Sequence, residues 1–290
     1  MWHDYQLLDF GADSKGLGRR LERFGDLLLD RPCPAADGVA KCERGAWRDA
    51  VARYDGARAA DGKWKPSPKR WAGEGECRVP IGAGFSLGLT PTPAGQIGLF
   101  PEQFANWQWI HDQVARHERP LRVLNLFAYT GGSTLAAAAA GAEVTHVDAS
   151  KPSVQLARDN AARSGLAEAP IRWIVEDAVR YCRREVKRSS HYDAVILDPP
   201  SYGHGPKGED WRLERDLPVL LELCRELTEE SRGFFLATCH TPGVGPAELS
   251  AYLSDAIVGH CGQPPASGRL WLKTRDDRRL DSGVYARWPR

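Results

Sequence analysis

RVLNLFAYTGGST, residues 122–134, decides how the chain folds. Arg122 to Leu126 is an apolar run of strand length, and after Thr130-Gly131-Gly132 the sequence turns Ala-rich until Gly141 closes it. A strand, a glycine turn and a helix in that order open a βαβ unit. Gly131 and Gly132 have no side chain, so the turn admits close approach of a ligand to the backbone. The spacing is not the G-x-G-x-x-G of dinucleotide binding.

The same unit repeats downstream. EVTHVD (143–148) reads as a second strand, Ser150 and Pro152 as a helix start, and Gly165 as its stop. IRWIV (171–175), a helix over Ala178 to Lys187, and DAVILD (193–198) continue the alternation. LPVLLELCREL (217–227), GFFLATCH (233–240), a helix near Ala247 to Val258 and two strands within 269–288 complete it. Strands alternating with helices predict a mostly parallel sheet covered on both faces, and the closing pair predicts an antiparallel edge. Upstream of residue 120 the texture changes to short runs broken by Gly and Pro, such as VPIGAGFSLGLTPTPAGQIGLF (79–100). This predicts a small β-rich domain over residues 1–115 before the α/β domain of 116–290.

Composition limits the function. The 290 residues carry 39 Lys+Arg against 38 Asp+Glu, a net charge of +1. Nucleic-acid binding by bulk charge is therefore excluded, and any such role must use a local patch. Residues 58–71 and 269–290 each carry a net charge of +4, and Trp64 and Trp71 lie within the first as base-stacking surfaces would. With 42% apolar and 27% charged residues the chain is globular. No apolar stretch approaches the ~20 residues of a membrane span, and MWHDYQLLDFGADS has no apolar signal core, so a cytoplasmic location is expected. Seven cysteines without a C-x-x-C pair argue against a disulfide framework or zinc ribbon. The eight histidines show no ligand spacing, so no metal is expected. The sequence leaves the oligomeric state open.

In a parallel sheet, ligands bind beyond the carboxyl ends of the strands. There stand FAYTGGST after the first strand and Asp148, 17 residues beyond Gly131, after the second. Glu176-Asp177 follows the third and Asp198-Pro199-Pro200 the fourth. One carboxylate suits two ribose hydroxyls, the next an adenine amino group, and the last is followed by two residues that stiffen the backbone. In that order they describe a site for S-adenosylmethionine, and they resemble the class I methyltransferases, whose Rossmann-like fold has a mostly parallel seven-stranded sheet with helices on both faces. LNLFAYTGGST, VDAS, DPPSYG and ATCHT further resemble the ribosomal-RNA methyltransferases that act at carbon 5 of cytosine, and GLFPEQFANW (98–107) resembles the segment preceding their catalytic domain.

That resemblance implies that Asn125, Phe127, Tyr129, Thr130 and Gly131 line the methionine part of the cofactor, Asp148 and Ser150 its ribose, and Asp177 its adenine. It places Gln103 and Asn106 nearby. Pro199, Pro200, Tyr202 and Lys207 fall on the substrate side, Lys207 within a loop of 203–216 suited to closing over the substrate. RNA, specifically ribosomal RNA, is the implied partner. Carbon 5 of cytosine is a poor nucleophile and needs a thiolate added at carbon 6, for which Cys239 is the candidate, with Asp198 acting on the ring beside it. Two alternatives stay open. Cys239 stands in an apolar strand and is equally suited to packing in the core. DPPSY also resembles the Asp-Pro-Pro-Tyr of enzymes that methylate exocyclic amino groups, which use no covalent adduct. A small-molecule or protein substrate remains a further alternative.

Overall fold

Short runs broken by turns pair along the first part of the chain, antiparallel except where β3 and β4 run parallel. Strands β1 (Tyr5–Ala12), β2 (Gly18–Phe24), β3 (Leu27–Pro32), β4 (Ala52–Tyr54) and β5 (Trp64–Pro66) form a five-stranded sheet in that order. β6 (Glu76–Val79) and β7 (Phe85–Gly88) form a two-stranded sheet. The computed structural model describes residues 2–57, 61–66, 75–204, 210–259 and 262–289. Within the first sheet, burial of charge is matched by pairing: Arg31 donates to Glu22 at 2.6 Å and Arg19 to Asp30 at 2.5 Å.

The second part is the predicted α/β layer. It contains α1 (Phe104–Ala115), β8 (Arg122–Leu126), α2 (Gly132–Ala139), β9 (Glu143–Asp148), α3 (Lys151–Arg163), β10 (Ile171–Val175), α4 (Ala178–Lys187) and β11 (Ala194–Leu197). The hairpin β12 (Tyr202–His204) and β13 (Asp210–Arg212), α5 (Leu213–Leu227), β14 (Phe234–Cys239), α6 (Pro246–Leu253), β15 (Ala266–Lys273) and β16 (Arg279–Trp288) follow. Seven strands form one sheet in the order β10-β9-β8-β11-β14-β16-β15. β8, β9, β10, β11 and β14 run parallel, and β16 pairs with β14 in the antiparallel sense. This is the expected mostly parallel sheet with its antiparallel edge.

Strand alternation splits the core in two. Leu124, Leu126, Val195, Leu197, Phe235 and Ala237 pack with α4, α5 and α6 in one apolar cluster. Asn125, one residue out of phase, turns the other way and bonds Thr134 of α2. α1 closes on α2 because Gly132 has no side chain; a β-carbon there would lie 2.5 Å from the Trp107 ring. Ser150 caps α3 and Asp177 caps α4, each accepting a backbone N–H. α5 begins at Leu213, four residues before the predicted start. Asp216 reaches back to the Arg212 N–H, and Leu213 buries itself with Leu217.

Two compact units result. One comprises residues up to Pro80, Ser86–Glu102 and Trp271–Ser282; the other comprises Ile81–Phe85, Gln103–Leu270 and Gly283 onward. The division thus falls at 102/103 rather than the expected 115/116, because Trp107, Ile110 and Val114 give α1 a buried face that belongs with α2. Leu272 and Leu280 join Leu7 and Phe10 in the core of the first unit. In that unit Arg278 of the basic 269–290 segment is tied to Asp9 at 2.6 Å. Most of the 58–71 segment lies outside the described residues. Among the described residues, no helix is long and apolar enough to cross a membrane.

Asp193, just ahead of β11, anchors the amino ends of the central strands. Its carboxylate accepts from Arg119 at 2.6 and 2.8 Å, from the Arg122 N–H at 2.8 Å and from Ser231 at 2.5 Å. Burial pushes its pKa up, but these donors outweigh it and hold the group at about 2. The stabilisation is therefore complete above the ordinary carboxylate pKa of about 4 and is lost as pH falls from there through about 2. Asp193→Ala, which orphans these donors, is expected to cost about 1–3 kcal/mol in urea unfolding at pH 7.

Candidate functional site

The carboxyl ends of β8, β9, β10, β11 and β14 converge on one rim of the second unit. The turn after β8 takes an unusual path: Phe127 and Tyr129 have φ of 56° and 48°, and Gly131 has φ of 90°. Left-handed backbone at two bulky residues is strained and needs external support. Asp148 provides it. One carboxylate oxygen accepts the Tyr129 N–H and the other the Ser150 N–H, both at 2.8 Å. Burial raises the Asp148 pKa, and these two backbone bonds work against that rise. Each oxygen retains a lone pair for a further donor.

Beneath the turn lies a buried polar chain. Asn125 donates to Thr134 Oγ1 at 2.9 Å, and Thr134 meets His146 Nδ1 at 2.9 Å. Burial drives the His146 pKa down to about 3, so the ring is neutral. Asn125, expected beside the cofactor's methionine, is thus buried and engaged under the turn. Ser150, expected at the ribose, spends its hydroxyl on α3, accepting from the Ser153 N–H at 3.3 Å. Asp177 accepts the Arg180 N–H at 2.8 Å as the cap of α4. Phe127 packs its ring on Trp211 at 4.9 Å.

Asp198 follows β11 and is about one-third exposed. Thr238 Oγ1 donates to its Oδ1 at 2.5 Å, and Gln103 Nε2 donates to its Oδ2 at 3.1 Å. Asn106 in turn donates to Gln103 Oε1 at 2.5 Å, and Arg287 donates to Asn106 Oδ1 at 2.5 and 3.0 Å. A directional hydrogen-bond chain therefore runs from Arg287 through Asn106 and Gln103 to the carboxylate. His240 Nε2 lies 3.5 Å from Asp198 Oδ1. Gly283 makes room for that imidazole, since a β-carbon there would stand 2.7 Å from His240 Nδ1.

Sequence reading had named Gln103, Asn106 and Asp198 but not Thr238 or Arg287. The signal for Thr238 was present: β14 pairs in register with β11, Ala237 opposite Leu197, so the next residues, Thr238 and Asp198, fall side by side. Arg287 arrives from the far end of the chain, with no local sequence signal.

Cys239 lies elsewhere. It is 1% exposed and packs with Leu249, Leu253 and Val284 on the face opposite Thr238 and Asp198. Its sulfur accepts the Thr241 N–H at 3.4 Å. Pro199 is buried and Pro200 exposed. The Pro200 carbonyl accepts from the Trp211 indole at 2.8 Å. The side chain of Tyr202 and all of Lys207 fall outside the described residues.

Comparison with known proteins decides the family. A model of the S-adenosylmethionine-dependent methyltransferases matches residues 77–256. The chain belongs to that family. A crystal structure of the SAM-dependent methyltransferase from Agrobacterium tumefaciens is 34% identical, covers 98% of this chain and 90% of its own, and superposes with a TM-score of 0.88. A ribosomal RNA large subunit methyltransferase K/L from Shewanella frigidimarina is 35% identical over 48% of this methyltransferase and 19% of its own length. A ribosomal RNA large subunit methyltransferase I from Aeromonas salmonicida is 36% identical over 36% of this chain and 26% of its own. These matches thus span about a fifth to a quarter of the curated relatives.

S-Adenosylmethionine is the cofactor of this methyltransferase, and the rim offers matching chemistry. It presents acceptors for hydroxyl and amino donors at the ends of β9 and β10, and an exposed carboxylate at the end of β11. Asp148→Ala, which also removes the support of the turn, is expected to weaken S-adenosylmethionine binding about 10- to 100-fold in calorimetric titration, the worth of one charged hydrogen bond. His146 gives a stability prediction with a definite sign. Its folded pKa of about 3 lies below the ordinary 6.5, so stability is complete above pH 6.5 and falls as pH drops toward 3. Between pH 6.5 and 5 the loss should approach about 2 kcal/mol, at ~1.4 kcal/mol per pH unit. Urea unfolding of His146→Gln should lack that component.

Proposed function

We propose that this methyltransferase modifies a base in ribosomal RNA, at a ring-attached nitrogen held against Asp198. The observation that carries the reading is the division of β14 into two faces. Thr238 and His240 attend Asp198, while the Cys239 thiol points into the apolar core. A thiolate that must attack a pyrimidine ring needs access to it, and a sulfur buried in an apolar core has none. Methylation of nitrogen needs no such adduct. The partial matches to ribosomal RNA large subunit methyltransferases K/L and I support RNA as the substrate class.

In this reading Asp148 takes the ribose hydroxyls of the cofactor on its remaining lone pairs, Asp177 its adenine amino group, and the Phe127–Gly131 turn its methionine part. Bound S-adenosylmethionine supplies a methyl group already activated on a positive sulfur. The protein's work is therefore alignment and proton handling. The Asp198 carboxylate accepts an N–H of the base, fixing the nitrogen lone pair toward the methyl. Thr238 and Gln103 hold the carboxylate plane, with Asn106 and Arg287 behind them. The rigid Pro199-Pro200 segment forms the support on which the base rests. The proton that leaves the nitrogen passes to Asp198, with His240 Nε2 3.5 Å away to receive it.

The test is nucleoside mass spectrometry of ribosomal RNA from cells with and without the gene. Loss of a nitrogen-methylated base is expected, while loss of 5-methylcytosine would restore the carbon-5 chemistry. Purified variants give the same decision. Cys239→Ala should keep its turnover number, whereas Asp198→Ala should lose about 100-fold or more, the usual worth of positioned acid–base catalysis. A Cys239→Ala protein that binds cofactor but does not turn over would overturn the nitrogen reading.

A further inference from the structure

Helix α4, AVRYCRREVK, has two faces of different purpose. Ala178, Tyr181, Cys182 and Glu185 are buried. Arg180, Arg183, Arg184 and Lys187 occupy positions i, i+3, i+4 and i+7 and form one outward stripe. The helix's one acidic residue, Glu185, is buried and offsets the stripe only in part: it lies 3.8 Å from Arg184 and receives Arg188 and Ser190 at 3.0 Å each. Glu176 takes Arg184 at 2.8 Å and Arg180 at 3.6 Å, and Asp216 lies within electrostatic reach of Arg183. Even so, four cations meet along a single helical edge.

That edge has an energetic cost for folding. Arg180 with Arg184, and Arg183 with Lys187, are like-charged pairs four residues apart, each destabilising an isolated helix by about 0.2–0.5 kcal/mol. The helix dipole favours Arg184 and Lys187 in the last turn but disfavours Arg180 in the first. None of the four is buried, so packing does not account for them.

The stripe lines a cavity of about 550 Å³ together with Asp177, Val179, Trp211 and Asp216. Trp211 is the residue whose indole holds the Pro200 carbonyl and whose ring packs on Phe127. Trp211 therefore links the cavity to the backbone of the Asp198-Pro199-Pro200 segment. From Arg180 to Lys187 the helix rises about 10 Å, at ~1.5 Å per residue. That length matches about three phosphate-to-phosphate steps of a stacked strand, at ~3.4 Å each.

We propose that the outer face of α4 is a phosphate track for the RNA whose base enters at Asp198. The inference rests on the reading of RNA as substrate and adds where its backbone lies. It moves the contact surface away from residues 58–71 and 269–290, where the sequence had put it. Arg and Lys on this edge would pair with phosphate oxygens and fix the strand without reading its sequence, leaving selection to the pocket at Asp198.

The experiment uses the full chain with Arg183→Glu and Lys187→Glu combined, and a milder Arg183→Gln, Lys187→Gln pair as the folding-safe control. Binding of a fluorescein-labelled 20-nucleotide single-stranded RNA is followed by anisotropy across a salt series. Methyl transfer is measured on total ribosomal RNA from a strain lacking the gene. The charge-reversed protein should bind the RNA at least tenfold more weakly, and its log–log salt slope should shrink by about 1.4, at ~0.7 per lost contact on a single strand. Its KM for ribosomal RNA should rise while kcat and S-adenosylmethionine affinity hold, and the Gln pair should fall in between. If wild type methylates ribosomal RNA and both variants match it in affinity and salt slope, the track is overturned while the activity stands; the face would then suit an acidic protein. If wild type neither binds the RNA nor methylates it, both the track and the RNA reading fall.

Discussion

The Asp198 carboxylate, clamped between the Thr238 hydroxyl and the Gln103 amide, is the constraint on which the site depends. Both donors are neutral, so they fix the plane of the carboxylate without cancelling its charge. The clamp is itself braced by Asn106 and the Arg287 guanidinium. One carboxylate thus ties together the ends of β11 and β14, the start of α1 and the last strand. A group held that way is in position before any ligand arrives, which is the form of preorganisation that lowers a barrier most cheaply.

The opposite side of the rim is organised by a different compromise. The turn after β8 carries left-handed backbone at Phe127 and Tyr129, each worth about 1 kcal/mol or more of strain. Asp148 compensates by holding the Tyr129 and Ser150 N–H groups, and the Asn125–Thr134–His146 chain fills the space beneath. His146 is held there as a neutral spacer: a charged imidazole at that depth would have no countercharge to offset its desolvation.

Much of this was legible from residue patterns. The run 122–134, the acids closing successive strands, and the Gly and Pro punctuation gave the sheet, its helices and Asp148, Asp177 and Asp198, because these depend on local rules. What was not legible depends on pairing across distance. Arg287 reaches Asn106 across 181 positions, which no local window contains. The early start of α5 came from a side chain reaching back one turn, ahead of the apolar periodicity. Ser150 and Asp177 show a further case: read as ligand contacts, both also cap helices, a task the same residue types serve. Cys239 was ambiguous because a strand alternates. The sequence contains a thiol near the site, while the phase of β14 decides which way it points.

That phase also settles how the enzyme meets an oxidising environment. Of the cysteines in the described part of the catalytic unit, Cys182, Cys224 and Cys239 are all buried. Thiol oxidation requires exposure, and burial among apolar side chains denies it to all three. Cys42, exposed in the other unit, stands apart from them. The described thiols of the catalytic unit are thus closed to oxidants, while the groups gathered at Asp198, a carboxylate, an amide and a hydroxyl, do not change with the redox balance.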